Sequence, residues 1–177
     1  HISKDSGTDP LSRILGGIAI AGCAISVACD LLGAALSERI GLVRDPISNL
    51  AAGQWDILSD LGIYAFVVGV LAVTAGLVRW RVSRWDWRAG TVLLVLLALD
   101  YALIAAYEAY STGDGPQIHY KLVYFMGAAF PLTVLLTAGQ FHEIERRLGI
   151  ALYVGGVLWA VVAPFLFVVP TAWDGLY

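Results

Sequence analysis

Residues 57–78 read ILSDLGIYAFVVGVLAVTAGLV, 22 positions with a single formal charge at Asp60. Wound as an α-helix, such a run reaches across the ~30 Å hydrocarbon layer of a membrane. The next ten residues, RWRVSRWDWR at 79–88, hold four arginines and three tryptophans. Then AGTVLLVLLALDYALIAAYEAY, at 89–110, is apolar again apart from Asp100 and Glu108. Two long apolar runs around a short basic and aromatic segment are two membrane crossings joined by an interfacial turn.

Three more runs flank this hairpin: Ile14 to Leu36, about Tyr120 to Gly139, and about Gly149 to Val169. The expected fold is therefore all-α, a polytopic membrane helix bundle with five transmembrane helices. Residues 1–13 form a cytoplasmic N-terminal segment, and 14–177 a single transmembrane helical domain. Composition agrees. Of the 177 residues, 59% are hydrophobic and 14% charged, with a mean hydropathy of +0.76. Soluble domains carry about 25% charged residues. Disorder, a basic nucleic-acid-binding module and an ordinary soluble enzyme are excluded. A secretory signal would be one short run before a polar chain, which is not this pattern.

Lysines and arginines orient the bundle. With the N-terminus inside, Lys4, Arg13, Arg79, Arg81, Arg84, Arg88, Arg146 and Arg147 fall on the inner side. Arg39, Arg44 and Lys121 fall outside, and eight against three satisfies the positive-inside rule. Trp80, Trp85 and Trp87 are expected to form an interfacial aromatic belt. The two cysteines, Cys23 and Cys29, are six apart and so project from different helical faces, as small apolar residues rather than a disulfide or metal site.

Gly62, Gly69 and Gly76 recur every seven residues, with Ala65 and Ala72 between them. Helices in lipid gain by close backbone approach, which a stripe of small residues permits. Pro131 and Pro164 lie inside the fourth and fifth runs, where each removes a backbone donor and frees the carbonyl four residues earlier, at Gly127 and Ala160.

Polar residues at membrane depth carry the functional signal, because an ionisable group there is costly and by default marks a functional site. Asp30 shares a helical face with Ser26, Gly33 and Ser37. Asp60 opens the second helix, near Asp56 and Tyr64. Asp100 lies past the middle of the third, on a stripe with Tyr107, Glu108 and Ser111. His119, Tyr120 and Lys121 open the fourth. Under the assigned orientation all of these lie in the outer half. The expectation is an outward-facing polar pocket with Asp30, Asp60, Asp100, Tyr107, Glu108, His119 and Lys121 as candidates, and with Asp30 and Asp100 at matching depths in one network. His119 and His142 are too far apart along one helix for bis-histidine haem, ~34 Å by helical rise. One outer histidine is too few for a membrane zinc hydrolase. No metal site, cofactor or nucleic-acid partner is expected, and no catalytic residue can be assigned.

The outer loop SERIGLVRDPISNLAAGQ, residues 37–54, adds Arg44, Asp45, Ser48 and Asn49. Asp45-Pro46 initiates a turn, and Ser48 or Asn49 can cap a short helix. It is either a lid on the pocket or a plain connector.

At DPISNLAAG (45–53), at the His119 segment and at the closing Gly175-Leu176-Tyr177, the chain resembles the family catalogued as domain of unknown function 998, small prokaryotic polytopic membrane proteins. The resemblance implies a six-helix bundle, so a sixth helix is expected after residue 177. It also implies residence in the plasma (inner) membrane of a prokaryote, and it brings no activity.

Three functions compete. The leading reading is a non-enzymatic accessory subunit or lipid-binding bundle, with membrane lipid, a membrane-protein partner or a second copy as its partner. The second is a small proton-coupled transporter using Asp30 and Asp100, although no internal repeat is evident. The third is a membrane hydrolase or transferase acting on lipid headgroups, with a carboxylate and His119 in acid–base roles.

The charge asymmetry predicts a cytoplasmic 79–88 loop and an external 37–54 loop. Cysteines placed at Ser83 and Ser48 should react with a membrane-impermeant thiol reagent in intact cells at position 48 only. Labelling of position 83 from outside reverses the orientation.

Overall fold

The computed structural model describes residues 9–37, 55–80, 82–107 and 114–168. They form five helices: α1 Pro10–Leu36, α2 Asp56–Arg79, α3 Trp85–Ala106, α4 Gly115–Ile144 and α5 Arg146–Val168. All five are long and apolar enough to cross a membrane. In hydrocarbon the helix satisfies every interior backbone group within one segment, which is why the apolar runs take this form.

All five helices begin before their apolar runs, because backbone hydrogen bonding does not wait for the side chains to turn apolar. Pro10 opens α1 at its first turn, where the missing N–H costs nothing. Trp85 opens α3 four residues before the apolar run begins, and α3 ends at Ala106, four residues before it finishes. Tyr107 is consequently the C-cap of α3, with φ −113° and ψ 76°, and stands off the helical stripe that carries Asp100. Glu108 and Ser111 lie outside the described residues.

Packing follows chain order. Each helix leans on its sequence neighbour, and among the described residues non-consecutive helices meet only marginally. The α1–α2 seam is the closest. A methyl group on Gly22 would overlap the Ala65 carbonyl and lie 2.9 Å from Gly69 Cα. One on Gly69 would lie 3.2 Å from the Ala19 carbonyl oxygen, and one on Gly62 would lie 3.1 Å from Cys29 Cβ. The small-residue stripe thus faces α1, except at Gly76, where a methyl group would meet open space. Cys29 is buried in this seam and Cys23 is exposed, the opposed placement expected from their spacing.

Between α3 and α4, Gly90 admits Thr137 and Leu136. One extended residue, Glu145, separates α4 from α5. There a methyl group on Gly149 would collide with His142.

The two tryptophans at the start of α3 part company. Trp87 is 2% exposed, stacks on Trp80 at 5.6 Å and meets Phe141 at 5.6 Å. Trp85 is 76% exposed. Two positions on a helix are ~200° apart, so only one of the pair can face the interior. Trp85 is thus free on the surface, whereas Trp87, expected in the aromatic belt, is core and clamps α2, α3 and α4 at the arginine-rich end.

Gly69→Leu should destabilise the bundle by roughly 1–3 kcal/mol, since the seam has no room for the side chain. Gly76→Ala should be neutral or slightly stabilising through helix propensity. Melting in mild detergent separates the two. Equal tolerance at both positions would mean that the stripe does not hold α1.

Candidate functional site

Buried hydroxyls in this bundle satisfy themselves. Thr74, Thr133 and Thr137 donate to the carbonyls of Val70, Ala129 and Thr133, four residues back, at 2.8, 2.8 and 2.9 Å. Thr91 does the same toward Trp87. The Gly127 carbonyl, freed by Pro131, is also taken up. Trp159 on α5 donates its Nε1–H to that oxygen at 3.3 Å, which turns the proline break into an α4–α5 contact.

His119 does comparable work at the opposite end from the arginines. It is 7% exposed, and its Nδ1 lies 2.9 Å from the Tyr107 carbonyl oxygen. A carbonyl only accepts, so Nδ1 carries the proton, and in the neutral ring Nε2 keeps the lone pair. His119, from the start of α4, thereby closes off the carbonyl that caps the end of α3. The phenol of Tyr107, the group expected to matter, is exposed. Its backbone makes the contact instead.

Asp100 is the exception. It is 3% exposed, yet its Oδ2 has no hydrogen-bond partner. Among the described residues only one other buried side-chain atom shares that condition, Nε1 of Trp55. The ring pairs Phe66–Tyr101 and Trp80–Trp87 fix the antiparallel register of α2 against α3. In that register Asp100 is level with about Val67, the midpoint of α2.

The same reasoning separates Asp30 from Asp100. Gly69 meets Ala19, and Gly62 meets Ser26 and Cys29. Asp30 is therefore level with Leu58 and Ser59, about 12 Å nearer the end of the bundle than Asp100 by helical rise. The expected matching depths are not found, chiefly because Asp30 lies 20 residues from the start of α1 and Asp100 only 15 from the start of α3, and α1 also starts a little nearer that end. Asp30 and Asp60 are both half-buried near the same end, and Lys121 is exposed. Among the described residues no hydrogen bond joins Asp30, Asp60, Asp100 and His119. Glu108, Arg44, Asp45, Ser48 and Asn49 lie outside the described residues, as does the loop that carries the last four.

The arginine-rich end holds a polar cluster that sequence reasoning missed. Arg84 binds Asp86 at 2.6 Å and Glu143 at 3.5 Å. Gln140, buried at mid-cluster, accepts from Arg84 Nε at 3.1 Å and Nη1 at 3.2 Å when its amide oxygen faces that way. Arg79 pairs with Asp9 across α2 and α1. The signal was available: Gln140 lies one helical turn before Glu143 at the end of an apolar run. Among the described residues no group of three or more metal-ligating side chains occurs.

A family model described as "Protein of unknown function (DUF998)" matches residues 20–177. The chain belongs to the DUF998 family. The match takes in most of α1, all of α2 to α5, and every candidate residue named above. No curated protein and no solved structure matches the chain. As a DUF998 protein with five spanning helices, it is a multi-pass integral membrane protein of unknown function.

The two buried polar groups should respond in opposite ways to removal. His119→Ala should lower stability by about 1–2 kcal/mol, the worth of a hydrogen bond plus the carbonyl it leaves unpaired. Asp100→Val should leave the melting temperature unchanged or raise it, because it removes a buried group that has no partner to lose. A fall at position 100 as large as that at 119 would reveal a partner.

Proposed function

We propose that this DUF998 protein is a non-enzymatic membrane bundle that binds lipid or the helix of a partner, as an accessory subunit or a lipid-binding bundle. In this reading it resides in the plasma membrane with its N-terminus cytoplasmic and its Asp30–Asp60–His119 end outside. One observation carries the reading. Among the described residues the helices stand in single file, so α1 packs mainly on α2 and α5 mainly on α4. Both end helices present large apolar side chains outward, among them Ile20, Val27 and Leu32 on α1 and Val157, Leu158 and Val161 on α5. An open row of helices offers grooves for acyl chains and faces for another helix, where packing in lipid rests on van der Waals fit.

A second reading has its own support. Asp100, buried at mid-membrane with an oxygen free to accept, suits a small proton-coupled carrier. Intramembrane carboxylates of this kind mark proton and ion pathways.

Native mass spectrometry of protein extracted in mild detergent distinguishes the two. The bundle reading expects retained lipid, a second copy or a partner protein. A bare, lipid-free monomer, together with proton flux into reconstituted vesicles that Asp100→Asn abolishes, would replace it with the carrier.

A further inference from the structure

The arginine-rich end holds a cavity of about 300 Å³ between the end of α2 and the start of α3, lined by Val78, Val82, Trp87, Arg88 and Thr91. Four of its five walls offer carbon surface, and one brings a full positive charge. Arg88 and Thr91 are three apart on α3 and so share a face. The Thr91 hydroxyl already donates to the Trp87 carbonyl and so has no proton left for a ligand.

Charge bookkeeping singles out Arg88 on these helices. Arg79 is neutralised by Asp9, and Arg84 by Asp86 and Glu143. Arg88 has no carboxylate partner among the described residues, although Asp86 lies two positions away. Asp86 instead turns both oxygens to Arg84 and accepts from the backbone N–H of Trp87. Among the described residues Asp9, Asp86 and Glu143 are thus committed to other arginines, and the cation at the cavity wall is left for an external anion.

Height in the membrane identifies what kind. Trp85 is 76% exposed and three residues from Arg88, and an exposed indole at the end of a spanning helix favours the boundary between headgroups and acyl chains. A cation at that level meets lipid phosphates, and the apolar walls continue into the acyl region beside Val78.

We propose that this cavity is a binding site for an anionic glycerophospholipid, its phosphate on the Arg88 guanidinium and its first methylenes against Val78 and Val82. The assignment rests on the lipid-binding reading above and names the lipid class for a site at the opposite end from the candidate polar residues. An arginine is suited to the role, since its planar fork engages a phosphate through two parallel hydrogen bonds.

The test uses the full chain in detergent, with dioleoylphosphatidylglycerol, dioleoylphosphatidylcholine or inorganic phosphate added, and native mass spectrometry and melting as readouts. Dioleoylphosphatidylglycerol should bind and raise the melting temperature more than the zwitterionic lipid, and inorganic phosphate should do neither. Arg88→Gln should weaken binding by about tenfold or more, the worth of a charge-assisted contact. Val78→Phe, which fills the cavity and leaves the charge, should do likewise. Arg146→Gln, at the same end but outside the cavity, should bind as the parent does. Undiminished binding in both cavity variants would overturn the site while leaving lipid binding elsewhere intact. Equal protection by inorganic phosphate would reduce the site to a free-anion site and overturn the lipid assignment. Failure of any lipid to bind the parent protein would remove both this site and the lipid-binding reading beneath it.

Discussion

In hydrocarbon an N–H or a hydroxyl has no solvent to bond, so each must find its partner inside the protein. The helices meet that demand for most of the backbone, and specific side chains meet it where the helices fall short. Pro131 frees the Gly127 carbonyl, and Trp159 takes it. The end of α3 leaves the Tyr107 carbonyl, and His119 takes it. Four buried threonines return their hydroxyls to their own helix. Each local solution doubles as a tertiary contact wherever the donor comes from another helix, and in this way the demand for satisfied polar groups also fixes how the helices are joined.

Against that background Asp100 stands out because its Oδ2 is buried and unpaired. An unpaired buried polar group costs on the order of 1–3 kcal/mol in proteins. A structural carboxylate would be expected to recover that through a partner. The seams of the bundle recover energy by other means: backbones brought close at Gly22, Gly62 and Gly69, an aromatic clamp of Trp80, Trp87 and Phe141, and ion pairs at Arg79 and Arg84. None of these involves Asp100.

The number of helices, their approximate limits and the packing role of the Gly62–Gly69 stripe were legible in the sequence, because hydropathy and small-residue spacing are one-dimensional signals. The relative heights of the helices were not. Asp30 and Asp100 both lie past the midpoints of their runs, yet Ala19 meets Gly69 while Tyr101 meets Phe66, a stagger set by which side chains interlock across each seam. Tyr107 was placed on a helical stripe that ends one residue before it, since nothing in the apolar run marks where the α3 hydrogen bonds stop. The split between Trp85 and Trp87 needed the helix start to be known. Arg84, hidden among four similar arginines in sequence, becomes a hub only once Glu143 and Gln140 arrive from α4.

Asp100 sits inside the bundle, level with the midpoint of α2 and turned away from the surface of α3. Neighbouring Leu99 is 57% exposed and points to lipid. Spin labels placed singly at positions 99 and 100, in protein reconstituted into bilayers, report this through their collisions with oxygen, which concentrates in lipid, and with a water-soluble nickel chelate. Position 99 should be open to oxygen and closed to nickel, and position 100 closed to both. Strong oxygen access at position 100 would put the carboxylate in lipid, and strong nickel access would put it in an aqueous cavity; either contradicts the account.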